Sequence, residues 1–317
     1  MGIGDWLGVL ALRRGSIERA LATRGLIALG LVFVASAALA REYDAEFIPH
    51  NPMVLAVPFV ASVAAAFLLF VVLWFAAARK GWPGHEQTPF SPGPDAPRAS
   101  FWPMFARFLG VFWLTAPTAW LYGIPFERML PELAAAEANL WMLAFVATWR
   151  IAVMVRVAQV MFGFSLWHAL VLVLFFGDLA VLGVVFFAPW PVMEIMGGVQ
   201  GDVENMMAGV RFMLGFLGVV TFLVLLAPFS TAFTFPAGFP RLRATPQGLM
   251  SPEMNRLSPA LWAVAVVATV AWAALLPFTQ PPLQHAPKRT SMLACAPIEN
   301  LELNWRPRQD SNLCPAV

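Results

Sequence analysis

A few ionisable residues of this sequence stand inside long apolar stretches. Arg150, Arg156 and Asp178 lie well within them, and Arg107, His168 and Arg211 lie nearer their ends. A charge in hydrocarbon is costly unless it is paired or reaches water, so such residues mark structural ion pairs, proton relays or ligand sites. The apolar runs 139–162 and 166–189 are joined only by Gly163-Phe164-Ser165, which predicts an antiparallel hairpin. Arg150 and Asp178 are equally far along the chain from Phe164. At about 1.5 Å per residue both then lie roughly 18 Å from the inner edge of the membrane. An intramembrane Arg150–Asp178 ion pair is expected there, since each charge offsets the burial of the other. Such a pair is either structural glue or part of a polar path for conduction or proton relay. Arg156 lies closer to the inner edge and can extend its head to the surface. Gln159 follows it by one turn, and His168 begins the next helix. Arg156, Gln159 and His168 are expected to form a polar cluster at the cytoplasmic mouth. The cluster suits a lipid phosphate or an anionic substrate, or simply anchors the hairpin.

Enzyme motifs are incomplete. Gly163-Phe164-Ser165-Leu166 resembles the start of the rhomboid GxSG nucleophile motif, but the last glycine is missing and His168 is only three residues from the serine. Phe175-Phe176-Gly177-Asp178 resembles the GxGD motif of intramembrane aspartyl proteases, but the first glycine is missing and no second mid-membrane acid faces Asp178. There is no HExxH, no phosphate-binding P-loop and no GxGxxG. The run from Met193 to Glu204 mixes acids with glycines, which hard cations favour. It lacks an EF-hand pattern and reads as a solvated loop. The two cysteines, Cys295 and Cys314, fall near the end of the chain and offer no CxxC pair or zinc framework. No catalytic residue, metal or cofactor is expected, and the reading is non-enzymatic.

The elements that must position these residues follow from composition. The chain has 317 residues, 60% hydrophobic and 12% charged, with a mean hydropathy of +0.71. Soluble domains carry about twice that charge, and disordered chains need low hydrophobicity, so both classes are excluded. A membrane-crossing helix needs roughly 20 apolar residues. Seven stretches qualify, at about 25–40, 53–78, 103–123, 139–162, 166–189, 206–229 and 259–277. They are too long, and alternate too little, to be strands. Asn51-Pro52 and Ser258-Pro259 each place a capping side chain ahead of a proline at a helix start. Pro131-Glu132 suggests that the fourth helix begins before its apolar part. Trp102 with Trp120, and Trp167 with Trp190, bracket two spans at roughly 27 and 35 Å, the spacing of two interfacial aromatic belts. The fold class expected is an all-α polytopic transmembrane bundle of about seven spans.

Lys and Arg in short loops set orientation. Arginines crowd the segment before the first span and the loops around 79–102 and 230–258, whereas the intervening loops hold only Arg41 and Arg128. The N-terminus is therefore expected in the cytoplasm. The acids accumulate on the opposite side as a consequence. Residues 1–24 form a basic amphipathic lead-in, with Trp6, Leu7 and Leu10 near one side, suited to the inner membrane surface or to solvent. A cleaved signal ending at Ala38-Leu39-Ala40 is the rival reading of residues 1–40, but the leading segment is long for that. The loops 81–98 and 230–258 are proline-rich linkers.

Residues 278–317 form a polar tail without periodicity, expected to be disordered. Its stretch Asp310-Ser311-Asn312-Leu313 can be written GAC TCG AAC CTG. The opposite strand of that codon series contains GTTCGA, as in a transfer-RNA T arm. The last ~15–35 residues are thus expected to be a read-through of an antisense transfer-RNA gene rather than selected sequence, with an ordinary flexible tail as the rival reading. Small residues at Ala61, Ala65, Ser62 and Ala66, at Gly215 and Gly218, and at Ala265, Ala268, Ala271 and Ala274 suggest close helix packing. The usage of alanine, arginine and valine points to a GC-rich bacterial source and its cytoplasmic membrane. The expected function is a membrane scaffold or accessory subunit. The alternative is a small transporter or channel component using Arg150 and Asp178. The expected partners are membrane lipids and a membrane protein or a second copy, not nucleic acid.

Overall fold

The computed structural model describes residues 1–40, 52–77, 100–187, 202–230 and 256–279. The chain divides into two units, Met1–Gln280 and Pro281–Val317, and the second lies wholly outside the described residues. Those residues include the polar tail with Cys295 and Cys314. Both proline-rich linkers, the glycine-rich run 193–201 and Trp190 lie outside them too, apart from Ser230 and residues 256–258 of the second linker. The described chain is helical, in the order α1 (Ile3–Leu10), α2 (Arg14–Leu21), α3 (Leu26–Ala40), α4 (Ala56–Ala77), α5 (Phe101–Trp113), α6 (Phe126–Met129), α7 (Glu132–Phe162), α8 (Leu166–Phe187), α9 (Asp202–Ser230) and α10 (Pro259–Thr279). Short 3-10 helices at Pro52–Leu55 and Ala116–Gly123 precede α4 and continue α5. Six segments are long and apolar enough to cross a membrane, and Leu26–Ala40 is a shorter apolar helix. The protein is an all-α polytopic bundle integral to a membrane.

Chain direction is visible in the side-chain register. Gly110 lies against Leu26, Gly30 against Trp113, and Gly123 against the Ala40 carbonyl. The paired numbers rise together, so α3 and the α5 segment run parallel. Leu257 lies against Gly25, and Trp272 lies against Gly123 beside Ala40, so α10 is parallel to both. Spans one, three and seven of an alternating bundle must have this relation. By contrast Trp113 pairs with Ser62 and Phe101 with Trp74, which makes α4 antiparallel to α5. Phe70 of α4 anchors that interface, with ring centroids 5.1, 5.5 and 5.4 Å from Phe101, Phe105 and Phe108.

The third span is not one regular helix, contrary to the expectation over 103–123. Pro117 has no N–H to donate to the carbonyl four residues back, and its ring crowds that turn. The helix tightens: Thr115 N–H donates to Phe112 O and Thr118 N–H to Thr115 O. The Leu114 carbonyl, which Thr118 would have capped in an α-helix, is released. The Trp6 indole Nε1 donates to it at 3.1 Å from a buried position.

That bond draws the N-terminal segment into the bundle. Residues 1–24 fold as two short antiparallel helices. Trp6 and Val9 of α1 and Ile17, Ala20 and Leu21 of α2 are buried. A side chain at Gly8 would collide with Ser16, so this hairpin closes only with glycine there. Trp6 stacks on Phe33 at 5.4 Å, and Trp120 closes the cluster at 6.5 and 6.1 Å from the two. Trp120 also donates to Ser36 Oγ at 2.9 Å. It faces inward, so the expected belt pair Trp102–Trp120 reduces to Trp102, which is exposed. The alanines of the seventh span do not share one face either. Ala265 is buried while Ala271 and Ala274 are exposed, because three-residue steps drift around a helix of 3.6 residues per turn.

Exposed charges edge the hairpin. Asp5 accepts the Gly2 N–H at 3.0 Å and pairs with Arg19 at 2.7 Å. The Gly2 amide and then the Arg19 guanidinium hold its carboxyl below the ordinary value of 3.8.

Two outcomes are expected in detergent. Trp6→Phe keeps the ring but leaves the Leu114 carbonyl unpartnered, and unfolding measurements should show a loss of about 1–3 kcal/mol. The Asp5 contribution is fully present above the ordinary carboxylate range and lost as pH falls through its lowered value. The thermal midpoint of the wild type should therefore drop on acidification more than that of Asp5→Asn.

Candidate functional site

Two polar regions lie along α7. At the α7–α8 turn the helix ends on Gly163, whose φ of 72° is in the left-handed region and whose N–H caps Gln159 O at 3.0 Å. Glycine adopts this conformation without the Cβ penalty. One turn earlier, Arg156 Nη1 donates to Gln159 Oε1 at 3.0 Å. Arg156 Nε donates to the Leu12 carbonyl at 3.3 Å. Leu12, in the α1–α2 turn, has a φ of 60°, uncommon for a residue with a Cβ. The expected cluster of Arg156, Gln159 and His168 is therefore realised in part. Arg156 and Gln159 meet, whereas His168 Nδ1 is hydrogen-bonded to Ser165 Oγ at 2.6 Å. Ser165 Oγ also accepts the His168 backbone N–H at 3.4 Å, and its carbonyl accepts Ala169 N–H at 3.0 Å. Ser165 is the N-cap of α8, with His168 three residues on folding back to it. The sequence hinted at this cap in Ser165 ahead of an apolar run. Nothing in it pointed to the Leu12 carbonyl, which arrives from 144 residues away.

The second region is at mid-bundle. Arg150 and Asp178 do not form the expected ion pair. The ion pairs among the described residues are Arg14–Glu18 and Arg19–Asp5, both at the surface. The Arg150 guanidinium lies over the Phe112 ring, 5.0 Å from its centroid. That is a favourable geometry for a cation on an aromatic face. Asp178 Oδ2 is the buried side-chain oxygen or nitrogen without a hydrogen-bond partner among the described residues. The physical reason is rotation. Equal distance from a turn fixes the depth of two residues but not the direction in which they point. Arg150 shares the stripe of Val146, Val153 and Val157, which is buried, and reaches Phe112. Asp178 lies on the same face of α8 as Phe175 and Leu182. Those residues pack on α9, through Phe222 at 5.1 Å and against Gly218.

Beside Arg150 the structure holds a cavity of about 270 Å³. Its walls come from α3 (Val34, Ala37, Ala38), from α4 (Ala61, Ser62, Ala65), and from α5 and its 3-10 continuation (Trp113, Ala116, Ala119). The small residues that the sequence marked on α4 thus border this space as well as packing helices. Only Ala66 of that set is fully buried. Ser62 Oγ accepts the Trp113 indole N–H at 3.1 Å and donates to Phe59 O at 2.9 Å. Arg150 is the ionisable residue among the described residues of the lining. No cluster of histidine, cysteine and acidic residues among the described residues has the makings of a metal site.

Arg156→Ala should free the α1–α2 turn from α7. Hydrogen exchange over residues 8–16 should lose about 1.5–3 kcal/mol of protection, the range for bonds from a charged donor, whereas Gln159→Ala should lose less. No protein-family model, curated protein or solved structure matches this chain.

Proposed function

We propose that the chain is a non-enzymatic scaffold or accessory subunit of a bacterial cytoplasmic membrane, with its N-terminus in the cytoplasm. The observation that carries this reading is the use made of interior polar groups. Trp6, Trp113, Trp120 and Arg156 each donate to another helix or its connecting turn. The buried hydroxyls of Ser36 and Thr115 donate to backbone carbonyls of their own turns. Polar atoms committed in this way tie helices together and do not offer a chain of sites to a passing solute. The arginines ahead of the first span support the orientation. The peripheral helix α9 supports a role beside lipid or another membrane protein. It packs mainly on α8 and exposes Phe212, Phe216, Leu223 and Val224.

A small transporter is the second reading. Two observations favour it: the cavity bordered by Arg150, and the Oδ2 of Asp178, which has no hydrogen-bond partner among the described residues. Purified protein in sealed liposomes, under a proton gradient and a membrane potential, separates the two. The scaffold reading expects proton and anion flux no greater than in empty liposomes. It also expects gently solubilised native membranes to hold the chain in an assembly heavier than 34.7 kDa. A flux that disappears in Arg150→Gln or Asp178→Asn overturns that reading in favour of transport.

A further inference from the structure

We propose that α8 docks a transmembrane helix of a different membrane protein, which offers an arginine or lysine to the carboxyl of Asp178. The proposal rests on the accessory-subunit reading and names the chemistry of the partner. Asp178 stands near the middle of the 22-residue α8, with an apolar turn on either side. Acids inside transmembrane segments are almost always paired with another group or face a water-filled cavity. The cavity beside Arg150 is not lined by Asp178. Asp178 Oδ2 is buried and has no hydrogen-bond partner among the described residues, while the residue as a whole is half-buried. The carboxyl thus lies at the edge of the helix packing, within reach of a neighbour outside it.

Two flanks meet at this residue. On a helix of 3.6 residues per turn, Phe175 and Leu182 lie to one side of Asp178, and Gly177 and Val181 to the other. Phe175 and Leu182 pack on Phe222 and Gly218 of α9. The Thr221 hydroxyl, between those two residues of α9, donates to the Leu217 and Gly218 carbonyls of its own helix. The other flank is open. Val181 is exposed, and nothing among the described residues lies within 4 Å of where a Cβ on Gly177 would stand. With no side chain at Gly177, a second helix can bring its backbone close to α8.

Charge complementarity selects the occupant. A lipid tail covers an apolar flank but offers no donor. A second copy on a two-fold axis presents the same patch, so acid meets acid, and Gly177 and Val181 bring no side-chain donor. A cation on a different chain satisfies the carboxyl with a charge-assisted hydrogen bond.

The test is fluorescence energy transfer between the labelled full chain and labelled model transmembrane peptides in phosphatidylcholine liposomes. The peptides are leucine and alanine, about 20 residues long, with a central arginine, glutamine or leucine. Wild type should bind the arginine peptide about tenfold more tightly than the leucine peptide, the scale of interhelical hydrogen bonds in membranes. Asp178→Asn should abolish that preference. Gly177→Leu keeps the acid but fills the approach, and should weaken arginine-peptide binding about as much. Equal binding of the arginine and leucine peptides by wild type overturns the proposal, as does a preference that survives Asp178→Asn. A glutamine peptide that binds as tightly as the arginine peptide overturns the cation, since a neutral donor then suffices. Energy transfer between two labelled copies of the chain that is lost in Asp178→Asn assigns the face to a second copy and overturns the partner. If Asp178→Asn does not fold, arginine-peptide binding unchanged in Gly177→Leu is enough to reject the site. The assembly in native membranes keeps the two readings apart. A heavier assembly unchanged by Asp178→Asn leaves the accessory role standing and overturns the docking site, whereas a wild type that runs alone overturns the accessory role itself.

Discussion

A backbone carbonyl released inside hydrocarbon has no water to turn to, and each one left unpaired costs several kcal/mol. Pro117 makes this constraint acute by breaking the third span and freeing the carbonyl of Leu114. The Trp6 indole meets it, and much of the architecture follows from that one bond. For Trp6 to reach Leu114, α1 must enter the bundle. For α1 to enter, α2 must fold back along it, with Gly8 against Ser16. The buried ring then requires neighbours, which Phe33 and Trp120 supply. The turn between α1 and α2 is held in its left-handed conformation at Leu12 by the guanidinium of Arg156. The segment thus joins α3, α5 and α7 as structure. Cleavage after Ala40 would remove a large part of the core.

The same economy governs the rest of the bundle. Lipid chains are as apolar as leucine, so packing and interhelical hydrogen bonds, rather than the hydrophobic effect, decide which helices associate. Three indoles act as such ties: Trp6 to Leu114, Trp113 to Ser62 and Trp120 to Ser36. Around Phe70, interlocking rings join α4 to α5, and Phe162 brings in the end of α7. Trp120, which the sequence places at a span end, serves inside as a hydrogen-bonded bolt, because an indole carries a large apolar face and one donor.

Against this closed interior, Arg150 and Asp178 stand out for having been separated. One borders an alanine-lined cavity among α3, α4 and α5. The other lies on the α8 face that packs on α9, with an oxygen that has no hydrogen-bond partner among the described residues. They belong to different parts of the bundle and have to be understood separately.

Composition and local signals suffice for the class of the protein. Long apolar runs bounded by Ser258-Pro259, Pro131-Glu132 and Gly163 fixed where helices begin and end, because these signals are local. The Ser258 and Gly163 caps stand where the chain put them. What only the tertiary structure decided is direction and distant contact. Rotation about a helix axis is set by all its neighbours, so Asp178 faces α9 while Arg150 faces Phe112. The partner of Leu114 lies 108 residues away, and that of Arg156 lies 144 away. No periodicity encodes such meetings. They follow from the need to satisfy polar groups that the membrane leaves no other way to satisfy.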